Sequence, residues 1–156
     1  QRGSELGFEV EETSSYEYNG VRISSSYIRQ ELAVSNFALV EQLLGRPYSI
    51  RGEVQQGRQL ARSLGYPTCN VGLQRRTLPL HGVFACEVRL ADRFFTAAVN
   101  VGFKPTVTDE RAALLEAHLF DFDEDLYGKT IEVIFRHKIR EEMEFDGEEY
   151  PSPLTT

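Results

Sequence analysis

The sequence predicts a mainly β domain, an antiparallel barrel or sandwich preceded by a short helical lead-in. Three observations predict it. Apolar residues change from a helical period to strict alternation near Pro47, five alternating runs follow, and Gly-, Pro- and Asp-rich turns separate them. A period of two sends alternate side chains to one buried face, whereas helical spacing draws them into a stripe.

Residues 1–22 are polar and uneven, with one strand expected over Leu6–Val10. From Ser24 the pattern is helical: Ser24 to Ser26 offer capping hydroxyls, and Ile28, Leu32, Leu39, Val40, Leu43 and Leu44 recur at helical spacing. Ser35-Asn36 divides this stretch into two short helices, and Gly45 followed by Arg46-Pro47 stops the second. Beyond Pro47, Tyr48, Ile50 and Val54 alternate with Ser49, Arg51 and Glu53. Four more runs follow: Phe84-Cys86-Val88-Leu90, Phe95-Ala97-Val99-Val101, Leu115-Ala117-Leu119 and Ile131-Val133-Phe135. No internal repeat or low-complexity segment interrupts them.

The 156 residues suffice for one domain with a core, plus a fragment of another. A net charge of −7 argues against nucleic acid or an anionic membrane as the main partner. That charge is unevenly spread. Arg51, Arg58, Arg62, Arg75 and Arg76 share their segment with a single acid, Glu53, whereas Glu141 to Glu149 holds six acids and no base. A local basic segment in an acidic chain suits a small anionic ligand such as a nucleotide. Two cysteines make no disulfide framework, which points to a reducing cytoplasm. No apolar run reaches the roughly 20 residues of a membrane helix, and no secretory signal is visible. The chain opens on Gln1 rather than Met, as expected of a segment of a longer protein.

Three lookalikes are set aside. Gly128-Lys129-Thr130 resembles the end of a phosphate-binding P-loop, but Asp123 stands where the motif needs glycine and a strand follows. Asp121, Asp123, Asp125 and Glu132 match calcium-loop positions, yet Leu126 replaces the required glycine, leaving a solvated acidic hairpin. His81, His118 and His137 lack the spacing of a local zinc site.

The residues that suit chemistry lie elsewhere. Gly57 to Gly65 form a basic, glycine-flanked loop in which backbone N–H groups and Arg62 can meet a phosphate. Pro67 favours an extended entry into Thr68-Cys69-Asn70, whose hydroxyl and amide stand two residues apart and offer neutral oxygens of the kind magnesium takes. Glu116 is a lone carboxylate within an apolar alternation, directed away from Leu115 and Leu119.

From Leu44 to Phe145 the chain resembles the riboflavin kinase module of bacterial bifunctional riboflavin kinase/FAD synthetases. The motifs that carry the resemblance, in order, are Leu64-Gly65-Tyr66-Pro67-Thr68-Cys69-Asn70, Gly82-Val83-Phe84-Ala85 and Ala98 to Thr106, then Leu115-Glu116-Ala117-His118-Leu119, Asp125-Leu126-Tyr127-Gly128 and Ile139-Arg140-Glu141-Glu142. Val21 to Arg29 is similar to the last phosphate-contacting motif of the adenylyltransferase domain that precedes the kinase in that family.

The resemblance implies a closed six-stranded antiparallel Greek-key barrel over residues 47–150, a remnant of the adenylyltransferase domain with linker helices over 1–46, and a disordered tail over 151–156. It implies ATP and riboflavin as substrates and Mg²⁺ as cofactor, with the adenylyltransferase domain in cis in the full-length protein. Thr68 and Asn70 would hold the metal and the transferring phosphate, Gly57, Arg62 and Gly65 would line the ATP loop, and Arg140 with Asn70 would meet the flavin. Glu116 would be the base. A non-catalytic flavin- or nucleotide-binding module left by truncation is the alternative. Ala61, where the family often has glycine, and the helix-breaking Asp146 to Pro153 depart from the family pattern.

Overall fold

A tight turn comes first: Asn19 and Gly20 both take positive φ, 50° and 76°, and join strands β1 (Glu17–Tyr18) and β2 (Val21–Arg22). Asn-Gly at paired positive φ matches the twist of a two-residue hairpin. The computed structural model describes residues 7, 14–55, 68–73, 77–105 and 111–142. The strand expected over Leu6–Val10 (Gly7 apart), the loop bearing Gly57, Arg62 and Gly65, and the chain beyond Glu142 lie outside the described residues.

The helices begin and end where the capping residues predict. Ser24 Oγ accepts the Tyr27 N–H at 3.1 Å and starts α1 (Ser25–Ala33); Asn36 Oδ1 accepts the Leu39 N–H at 3.4 Å and starts α2 (Phe37–Leu44). Gly45, at φ 69°, supplies the left-handed residue that ends α2. Among the described residues, no helix is long and apolar enough to cross a membrane.

Six strands then close a barrel: β3 (Ser49–Gln55), β4 (Cys69–Val71), β5 (Gly82–Leu90), β6 (Arg93–Pro105), β7 (Arg111–Leu119) and β8 (Thr130–Arg140). Their order around the barrel is β3-β4-β7-β6-β5-β8, antiparallel at every pairing, with β8 returning to β3. The hairpin-linked strands β5, β6 and β7 are flanked by β4 beside β7 and β8 beside β5, each set of four forming a Greek key. Closure removes the free edges that an open sheet would expose. Of the two all-β architectures the alternation allows, the chain adopts the barrel.

Every alternating run read from the sequence directs its apolar set inward. Phe84, Val88, Val99, Val101, Leu115, Ala117, Ile131, Val133 and Phe135 are all at most 1% exposed. Phe37 of α2 reaches this interior. Its ring meets Phe84 edge-on at 5.9 Å and stacks on Phe135 at 6.0 Å, while Phe84 and Phe135 meet edge-to-face at 5.4 Å. Leu32, Phe37 and Val40 thereby belong to the same hydrophobic cluster as the barrel. Aromatic pairs in these geometries add to the stabilisation from burial itself.

Truncating the ring that joins the helices to the barrel tests this packing. Phe37→Ala is expected to lower unfolding free energy by about 3–5 kcal/mol, the cost usual for a buried Phe. The midpoint of a urea transition measures it, and a loss under about 1 kcal/mol would show that the helices do not support the barrel.

Candidate functional site

Strand β7 sets the site. Leu115 and Ala117 are wholly buried and Leu119 is 5% exposed, so the intervening Glu116 and His118 lie on the outer face, as the alternation predicts. His118 meets the Phe120 ring edge-on at 5.1 Å. Glu116 is directly opposite Asn70 of β4 on one side and Asn100 of β6 on the other. Asn100 is also outward, because Val99 and Val101 fill the interior on either side of it. Directly opposed residues bring their Cβ atoms to about 4.5–5.5 Å. Two amides thus flank one carboxylate on three adjacent strands.

The same row continues around the barrel. Gln55 of β3 pairs with Asn70, Asn100 pairs with Val83 of β5, and Val83 pairs with Arg140 of β8. The structure therefore brings Asn70 and Glu116 side by side and sets Arg140 three strands beyond Glu116, about 14 Å at the usual strand spacing. Arg140 is exposed, and its Nη1 donates to the Glu141 carbonyl at 3.2 Å. Thr68 is exposed one residue before β4 begins. Gly57, Arg62 and Gly65 fall outside the described residues.

A second group of side chains abuts the row, and sequence reasoning assigned it no role. Just past β8 the chain places the Glu142 carboxylate over β6, where Asn100 Nδ2 donates to Oε1 at 3.4 Å and His81 Nε2 lies 2.8 Å from Oε2. Gly102 makes room for it, since a Cβ there would overlap that carboxylate. His81 also stacks on Phe103, with ring centroids 5.6 Å apart. Lys138 Nζ holds Glu141 at 2.7 Å and keeps its carboxyl below the usual carboxylate range. Asn100 Oδ1 is buried with no partner among the described residues. Asn100 lies within a motif visible in the sequence, but only the pairing register shows it beside Glu116.

The donor set bears on the metal that the sequence implies. Asn70 and Thr68 contribute neutral oxygens, and the described residues hold no cluster of three His, Cys, Asp or Glu side chains able to fix a cation. Such a set fits a magnesium ion that arrives on phosphate oxygens and keeps most of its water, which is how magnesium is commonly held. The acidic stretch over 121–125 is not the hairpin the sequence suggests, because it joins β7 to β8, which do not pair; it is part of no such cluster, and Asp125 Oδ1 accepts the Tyr127 N–H at 3.0 Å, an ordinary turn contact.

The riboflavin kinase family model matches residues 44–150. The chain belongs to the riboflavin kinase family. It is 45% identical over 143 residues to the bifunctional riboflavin kinase/FMN adenylyltransferase of Pseudomonas fluorescens, covering 92% of this chain and 46% of that protein. The counterpart from Escherichia coli K12 is 46% identical over 144 residues, with the same coverage. The crystal structure of a macrolide-efflux protein from Streptococcus pneumoniae superposes with a TM-score of 0.73 at 35% identity, over 85% of this chain and 44% of that one. The chain thus spans about half the length of the curated relatives it matches. As a riboflavin kinase family domain it carries the fold of a phosphotransferase, and the family implies riboflavin and ATP as substrates.

The thiols of this riboflavin kinase domain stand apart from such chemistry. Burial pushes the Cys69 thiol up to about 11 and the Cys86 thiol up to about 12. A raised pKa leaves little thiolate, the reactive form, near neutrality. Iodoacetamide at pH 8 is expected to label both at least tenfold more slowly in the folded chain than in urea, counted by intact mass. Equal rates would show that burial does not protect them.

Proposed function

We propose that this chain is an ATP- and magnesium-dependent riboflavin kinase, transferring the γ-phosphoryl group of ATP to the ribityl 5′-hydroxyl to give FMN and ADP. The single observation that carries the reading is the row Asn70–Glu116–Asn100, a carboxylate between two amides on the outer face of a riboflavin kinase barrel. Glu116 is held by β7 with its neighbours buried, so its backbone position is fixed while its side chain is only partly covered. In this role it takes the hydroxyl proton as the hydroxyl oxygen bonds to the γ-phosphorus and the bond to the β–γ bridging oxygen breaks, releasing ADP. Phosphoryl transfer depends mainly on positioning and charge neutralisation, and a base adds a further factor of about 10²–10⁴.

Asn70 orients the phosphate end from β4, with Thr68 two residues before it in the chain. Magnesium bound to ATP would supply charge neutralisation there. Gly57, Arg62 and Gly65 complete the nucleotide loop in this reading, and Arg140, on the far side of Asn100, meets the flavin ring together with Asn70. We assign residues 47–150 to the kinase barrel and 1–46 to the end of an adenylyltransferase domain whose remainder would convert FMN to FAD in the full-length protein. Unpaired thiols suit a reducing, cytoplasmic setting.

The decisive experiment is conversion of riboflavin to FMN by the purified chain, with and without ATP and magnesium. FMN formed only with both supports the kinase, whereas flavin bound without conversion leaves a binding module. Glu116→Gln should lower kcat about 10²–10⁴-fold with the ATP affinity unchanged, and near-normal turnover would remove Glu116 as the base. Thr68→Ala with Asn70→Ala should weaken magnesium-dependent nucleotide binding by about tenfold or more in calorimetry; unchanged binding would remove both from the metal.

A further inference from the structure

Asn100 combines three observations, and the proposed chemistry gives its side chain no role. It stands directly across from Glu116, its Nδ2 is engaged by Glu142, and its Oδ1 is buried without a partner among the described residues. Buried polar atoms are nearly always paired in native proteins, so an orphaned one calls for a physical explanation.

Glu142 cannot provide the missing partner, because an ionised carboxylate only accepts hydrogen bonds. What it does provide is orientation. With Nδ2 facing Glu142, turning the amide over would set its oxygen against a carboxylate oxygen, two acceptors with no hydrogen between them, so the flipped orientation is disfavoured. The oxygen is therefore left as the group available for a ligand. Gly102 and His81 fix the Glu142 carboxylate in turn, the first by leaving space and the second at 2.8 Å. The 3.4 Å contact to Nδ2 lies beyond the usual range for a strong N–H···O bond, so a modest shift of the side chain can open Oδ1.

An orphaned acceptor selects its ligand by chemistry. Phosphate oxygens of a magnesium-bound nucleotide carry no hydrogen to give it, whereas an alcohol does. We propose that Asn100 is a further substrate-binding residue, its Oδ1 accepting a hydrogen bond from a polyol hydroxyl next to the one that Glu116 engages. This rests on the kinase reading above. Position supports it: a polyol carries a hydroxyl on each neighbouring carbon, and Asn100 is the cross-strand neighbour of Glu116 on the side of the row that leads through Val83 to Arg140.

Asn100→Leu removes the acceptor while keeping the approximate side-chain volume. Binding of riboflavin and of lumiflavin, the same ring with a methyl group in place of the polyol, is followed by fluorescence quenching in the wild-type chain and the variant. The expected result is about a tenfold loss of riboflavin affinity, with lumiflavin affinity and the KM for ATP unchanged. Equal losses for both flavins, or no loss for either, overturn the assignment. Should the variant not fold, the wild-type chain still decides the matter. The Asn100 side-chain amide resonance should shift with riboflavin and stay in place with lumiflavin, and a shift common to both overturns it. Failure of the kinase reading looks different. A wild-type chain that binds neither flavin removes that reading and this assignment together, whereas FMN formation with an unaffected Asn100→Leu removes this assignment alone.

Discussion

The register of β7 between β4 and β6 is the constraint on which the rest depends. A strand slipped by one residue turns every side chain to the opposite face. Here Leu115, Ala117 and Leu119 must fill the barrel, so Glu116 has no choice but to face outward. The pairing with β4 and β6 then fixes which residues stand beside it, Asn70 and Asn100. The hydrophobic core thereby positions the polar site, although none of its atoms takes part in the chemistry.

The outer face is not uniform. Between β3, β5 and β8 it carries two charge pairs, Arg89 with Glu132 at 2.7 Å and Arg136 with Glu87 at 3.0 Å, and Ser49 Oγ donates to Glu132 at 2.7 Å. Partly exposed pairs of this kind each contribute little to stability, because solvent screens them. The β4-β7-β6 side presents two amides and a carboxylate instead. Neutral amides can address a phosphate or a hydroxyl without being neutralised by a fixed partner, a property suited to groups that must exchange ligands. Arg89 and Arg136 on the charged side are already committed to acids.

Much of this was legible in the chain. Ser24, Asn36 and Gly45 announced both helices because capping is local chemistry, and each barrel strand with a clear alternation directed its apolar set inward. The outward placement of Glu116 followed from the same period. Barrel closure did not follow from the period, since five alternating runs serve a sandwich equally well; the resemblance to the riboflavin kinase module implied it, and β8 does pair with β3 some eighty residues earlier. Asn100 was visible within a motif, but its proximity to Glu116 is a product of register, which periodicity alone leaves open. Glu142 too stands within a motif, but as an acid at the head of a run of acids it gives no sign of lying over β6 until Gly102 shows the space cleared for it. The β1–β2 hairpin is a different case. Asn19-Gly20 is a strong local turn signal, but two-residue strands leave no alternation from which to read the hairpin it closes.

The period change at Pro47 marks a change of secondary structure, but the packing does not divide there. Phe37 lies against Phe84 and Phe135, Tyr48 tilts against Phe135 at 5.8 Å, and Phe135 N–H donates to the Tyr48 carbonyl at 3.0 Å. Helix α2 and the entry to β3 thus converge on one ring of β8. A chain cut at Pro47 would uncover Phe84 and Phe135 and lose Leu32, Phe37 and Val40 from the cluster they share. Large apolar rings left open to water favour association or collapse over a single fold. The lead-in helices are therefore part of what makes the barrel a folded unit, whatever their role in a longer protein, and the strand β8 that they support is the one that ends at Arg140 and delivers Glu142 to the site.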